Sequence, residues 1–79
     1  MKQEEIKKLY FTMAETVELC KTSEACIRLW CEVFNINPRR NRKGNRMFTQ
    51  MEIYRLQVVY ILYNIEGYST KGIKNYLAL

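Results

Sequence analysis

Histidine and aspartate are both missing from this chain of 79 residues. Without them no Ser-His-Asp or Cys-His nucleophilic site can form within one copy, so catalysis of that kind is excluded. Every acidic residue is a glutamate, and the glutamates are scattered rather than clustered. Cys20, Cys26 and Cys31 form an odd set with no CxxC pair. Three thiolates lacking a fourth Cys or His make a poor zinc site, and the expected role is that of small buried hydrophobes. No metal, cofactor or small-molecule effector site is expected, and the chain is read as a non-enzyme. Long apolar runs are missing too. The longest, Val58 to Tyr63, is far below the ~18 residues of a membrane span. The start, Met1-Lys2-Gln3-Glu4-Glu5, lacks the apolar stretch of a signal peptide. A soluble, cytoplasmic protein follows as the expectation.

A short chain also has few ways to build a deep pocket, because little of its surface is buried. With 48% hydrophobic residues it is still rich enough for one globular domain. Its net charge of +5 is concentrated. Arg39, Arg40, Arg42, Lys43 and Arg46 fall within Pro38 to Arg46 with no acid among them, and elsewhere acids and bases cancel. A basic run is often only a solvated face. A run dominated by arginine suits phosphates better, because the planar guanidinium matches phosphate oxygens with paired donors. Nucleic acid is the expected partner.

Local signals then order the chain. Residues 1–8 mix Lys and Glu and read as a short lead-in to a domain over 9–79. Leu9, Tyr10 and Phe11 are strand-like. Thr12-Met13-Ala14-Glu15 fits a capping box opening a two-turn helix, in which Met13, Val17 and Cys20 share a face. Thr22 or Ser23 caps a second helix reaching about Phe34, with Ile27, Trp30 and Phe34 inward and Glu24, Ala25 and Arg28 outward. Two short helices so closely spaced make a helix-turn-helix. Asn35-Ile36-Asn37-Pro38 stops the second helix. Arg39 to Phe48 reads as a hairpin turning at Asn41 to Gly44, its second strand running from Asn45 to Phe48. Thr49 to Glu52 is another capping box, starting a long helix that ends at Gly67. Ile53, Leu56, Tyr60 and Tyr63 are expected along its buried side, with Tyr54 or Tyr63 as possible exposed rings. Ser69 or Thr70 caps a last helix with Ile73 and Leu77 inward. The fold class is therefore mainly α, a winged helix-turn-helix of about four helices, with a two-stranded wing between helices 2 and 3.

This order of signals resembles the DNA-binding domain of the mercury-resistance-regulator (MerR) family over roughly residues 9 to 79. Tyr10 to Glu15 looks like its opening. Ile27-Arg28-Leu29-Trp30 resembles its Leu-Arg-Tyr-Tyr recognition motif, and Arg39 to Thr49 resembles its basic wing. Gly67-Tyr68-Ser69 followed by Ile73-Lys74 resembles the close of its fourth helix. The sequence departs from the pattern at Lys21, where Gly or Asn is usual, at Leu29 and Trp30, which replace tyrosines, and at Cys31, which replaces an acid.

The resemblance implies sequence-specific binding to double-stranded DNA by a transcription regulator, with the recognition helix in the major groove. Ser23, Glu24, Ala25 and Arg28 would then face base edges. Arg28 is the strongest base reader, with a phosphate contact or a pair with Glu24 or Glu32 as its alternatives. Glu24 either reads a cytosine amino group or is simply an acid at a helix N-terminus. Arg39, Arg40, Arg42 and Lys43 would neutralise flanking phosphates. Arg46 divides between DNA contact and anchoring the hairpin. The helix N-terminus at Thr12 offers N–H groups to one phosphate. Family members dimerise through a coiled coil beyond the last of these elements, so a dimer is expected only in a longer form. An excisionase-like DNA-bending factor and a protein-interaction module using the apolar long helix stand as alternatives.

Overall fold

The computed structural model describes residues 9–78, so the proposed lead-in over 1–8 lies outside the described residues. Thr12 opens α1 (Met13–Cys20). Its hydroxyl accepts the Glu15 N–H at 3.1 Å, and the Glu15 carboxylate accepts the Thr12 N–H at 2.9 Å. Each of these otherwise unpaired backbone donors is thereby satisfied by the other residue's side-chain oxygen. Lys21 ends the helix in the left-handed conformation at φ 55°, a strain of ~1 kcal/mol for a non-glycine. The turn is closed by Thr22 N–H to Val17 O at 3.2 Å and Lys21 N–H to Glu18 O at 3.4 Å. That is the Schellman pattern, here built on lysine.

Two residues later Ser23 caps α2 (Glu24–Val33), accepting the Cys26 N–H at 3.2 Å. Ile27, Trp30 and Phe34 are buried as the spacing predicts, and Cys31 joins them. Asn35, the first residue of the helix-stopping stretch, terminates the helix. It lies at φ 60°, and Ile36 N–H reaches back to Cys31 O at 2.8 Å. This fold-back drops Ile36 into the core.

The wing pairs β1 (Arg39–Arg40) with β2 (Arg46–Met47) antiparallel, Arg39 opposite Met47 and Arg40 opposite Arg46. Its second strand is shorter than the predicted Asn45 to Phe48. The turn is locked by Asn41, whose Oδ1 accepts N–H groups of both Lys43 and Asn45 at 2.9 Å. Gly44 sits at φ 86°, and a Cβ there would meet nothing within 4 Å. Its requirement is conformational, not steric. Phe48 exchanges both backbone hydrogen bonds with Phe11, at 2.7 and 2.8 Å, and so ties the strand-like entry segment to the wing.

A second capping box, Thr49 with Glu52, opens α3 (Gln50–Tyr60), which runs into a π-helical turn (Ile61–Ile65). Ile53, Leu56, Val59 and Leu62 form the buried stripe. Tyr60 is only half-buried and Tyr63 is exposed, so the expected inward side is correct for its first half alone. Steps of three residues advance 300°, so the buried stripe winds round the axis. It follows the neighbours, α1 and α2 beside α3 and then α4 beside the π turn. The Glu66 N–H bonds Ile61 O, five residues back, at 2.9 Å, and that wide turn carries the exit to Gly67 at φ 77°. Ser69 caps α4 (Thr70–Ala78), with Ile73 fully buried and Leu77 partly so.

Cys20 and Cys31 lie in this core, and Cys26 is half-buried. Burial pushes the Cys20 thiol up from 9.0 to about 11, with Cys31 adding to the effect. Burial also raises the Cys31 thiol, against a smaller pull downward from Arg46 and with a further push from Glu52. Thiols kept neutral in this way are poor nucleophiles. Because the folded value of Cys20 lies above the ordinary one, the folded state binds the proton more tightly. Stability is then complete below pH 9.0 and falls as pH rises toward about 11. Urea midpoints should drop across that window by the equivalent of ~2 kcal/mol. A Cys20→Ala variant should show a shallower drop.

Candidate nucleic-acid interface

Three elements converge on one side of the molecule. The N-terminus of α1, the outward face of α2 and the wing line a single groove. Thr12, Met13 and Ala14 come from the first, Glu24 and Arg28 from the second, and Arg40, Asn41, Gly44, Asn45, Arg46 and Met47 from the third. Five residues picked out from the sequence, Thr12, Glu24, Arg28, Arg40 and Arg46, therefore meet here. A second hollow lies beyond them, lined by Leu29, Glu32, Ile36 and Pro38 among others, and again by Arg28, Arg40 and Arg46. The three arginines stand between the two hollows.

Ser23 and Ala25 are exposed in the cap and first turn of α2 but do not line the groove. Arg42 and Lys43 project at the wing tip, and among the described residues neither side chain has a partner. Arg39 is exposed and its guanidinium sits 5.5 Å from the centre of the Tyr10 ring. Such stacking holds the group while leaving its N–H edge open. Arg40 is steadied by a bond from Nη1 to Gly44 O at 2.9 Å.

Arg46 differs from the other wing arginines. It is half-buried beside Cys31, and its Nη1 is buried without a hydrogen-bond partner among the described residues. Its partial burial distinguishes it from the exposed wing arginines. At the other end of the groove, the Thr12 N–H is occupied by Glu15. The donors that the α1 N-terminus leaves open are those of Met13 and Ala14, among the described residues.

On α2, Arg28 Nη2 donates to Glu24 Oε2 one helical turn back. Exposed i,i+4 pairs of this kind stabilise a helix by only ~0.3–0.5 kcal/mol. The pairing was one of the alternatives for Arg28. Tyr10 and the two asparagines of the turn were not singled out as interface residues. Tyr10 had a weak signal, its place in the strand-like entry segment, whereas its stacking on Arg39 needs the tertiary pairing of Phe11 with Phe48.

The sequence matches the profile of the MerR HTH family regulatory proteins over residues 11–79. No curated protein matches it. Among solved structures it is similar to HiNmlR, a MerR family regulator lacking the sensor domain, in a crystal structure bound to promoter DNA. The TM-score is 0.72 at 28% identity, covering 89% of this chain and 56% of that one. The chain thus spans little more than half the length of that regulator. On the profile match, the helix-turn-helix and the intervening wing, this chain belongs to the MerR HTH family.

Proposed function

We propose that the chain binds double-stranded DNA sequence-specifically, as the DNA-binding domain of a transcription regulator, and acts by binding rather than by catalysis. The observation that carries this reading is the shared groove, in which a helix N-terminus, an exposed helix face and an arginine-rich ribbon line one basic surface. Similarity to a regulator bound to promoter DNA supports it. The outward face of α2 enters the major groove, where Ser23, Glu24, Ala25 and Arg28 are closest to base edges. Arg39, Arg40, Arg42 and Lys43 lie along the flanking phosphates. The α1 N-terminus at Thr12 faces one further phosphate through its open N–H groups. Arg46 supports the wing from beneath. Contacts to phosphate fix the register, and contacts to base edges supply the sequence preference. The place of action is wherever the DNA is, the cytoplasm or nucleoid.

Titration of a random-sequence duplex at increasing salt tests this. With four to five phosphates neutralised, log K against log salt should fall with a slope of roughly −4 to −5. A flat response, or no binding at low salt, would refute it.

A further inference from the structure

Among the described residues lining the groove Glu24 is the one acid, and Arg28, Arg40 and Arg46 line it too. A carboxylate on a surface facing phosphates weakens every contact made there. Its pair with Arg28 gives little in return as stability, since the two side chains are 52% and 62% exposed and water screens them. What the pair does fix is orientation. Glu24 Oε2 takes one N–H of Arg28 Nη2 and leaves a two-donor edge of the guanidinium open. Glu precedes Arg by one turn, the order in which a helix best holds such a pair.

Resting on the reading of α2 as the recognition helix, we infer that Glu24 is a positioning residue that sets specificity. Its carboxylate aims the Arg28 fork at the O6/N7 edge of a guanine and keeps it off the phosphates. A free arginine on this face would swing to the nearest phosphate, which every sequence offers. A tethered one is pre-organised for a planar pair of acceptors at one place in the major groove, which only guanine supplies.

The test uses the full chain with a duplex recovered by it from a randomised pool, and a scrambled duplex of the same composition. In Glu24→Gln the charge-assisted bond is lost, and the neutral amide oxygen holds Arg28 only weakly. Binding to the scrambled duplex should tighten about threefold, and its salt slope should steepen by about 0.9, one added phosphate contact. The preference for the recovered duplex should fall about tenfold. Glu24→Asp keeps the charge but is one methylene too short to hold Arg28. It should lose the same preference and show the same steeper salt slope, while the retained negative charge keeps its affinity for the scrambled duplex closer to that of the wild type. Placing 7-deazaguanine in the recovered site removes N7, and should weaken the wild type more than Glu24→Gln. Both variants change only an exposed side chain and should melt with the wild type. Retained preference in Glu24→Gln overturns the inference. So does a Glu24→Asp protein identical to the wild type, which would make charge alone responsible. Absence of salt-dependent binding by the wild type would instead remove the recognition-helix reading itself.

Discussion

Trp30→Ala should remove most of the stability of the domain and, through unfolding, its DNA binding to every sequence. Trp30 is 5% exposed, on the inward face of α2 with Ile27 and Phe34, in the core that also holds Phe48 and Leu56. Truncating a buried aromatic costs ~3–5 kcal/mol, the lost transfer energy plus that of the cavity left behind. A domain of this size has only roughly 4–10 kcal/mol to lose. Thermal melting followed by circular dichroism should therefore show a much lowered and broadened transition. Its neighbour gives the internal control. Leu29 is 55% exposed, so Leu29→Ala should melt close to the wild type. A Trp30→Ala protein with the wild-type melting temperature and no DNA affinity would make Trp30 a contact residue and reverse the orientation of α2.

The placement of Trp30 was legible because helical spacing needs nothing beyond the local sequence. The same holds for both capping boxes and for the Asn41 to Gly44 turn, each complete within a few residues. Lys21 was marked as a departure from the family pattern, and its left-handed φ of 55° shows the turn kept its geometry against the residue's preference. Other features depend on packing. Ile36 follows a helix end, where no periodicity predicts which way a side chain points, yet the fold-back at Asn35 buries it. Tyr63 lay on an apparent apolar face, but the inward stripe winds with the neighbouring helices and the π turn has no residue signature. Arg46 divided between DNA contact and anchoring the hairpin, and its sequence neighbourhood could not decide between them. Only the tertiary fold brings it near Cys31 and half-buries it, which sets it apart from Arg42 and Lys43. In the interface, residue types that suit phosphate were visible from composition, whereas the Glu24–Arg28 pair stood only as one of several partnerships.

That separation of roles decides which residues should carry non-specific affinity. Replacing Arg39, Arg40, Arg42 and Lys43 together by alanine should weaken binding to any duplex by about a thousandfold near 0.1 M salt, because each lost phosphate contact forfeits the release of about one counterion. The salt slope should become shallower by roughly 3–4, and preference among sequences should change little, since phosphates are the same everywhere. The fold should persist. All four side chains are exposed, and the turn is held by Asn41 and by backbone bonds, not by the cations. Losing the Arg39 stack on Tyr10 and the Arg40 bond to Gly44 O removes only small surface terms. A variant limited to Arg42 and Lys43, which have no side-chain partners among the described residues, should show about half the loss in log K with no change in melting temperature. Wild-type affinity and slope in the fourfold variant would show that the wing does not lie on DNA. In that case the charge of the ribbon would serve solubility alone, and α2 would have to bind without a flanking support.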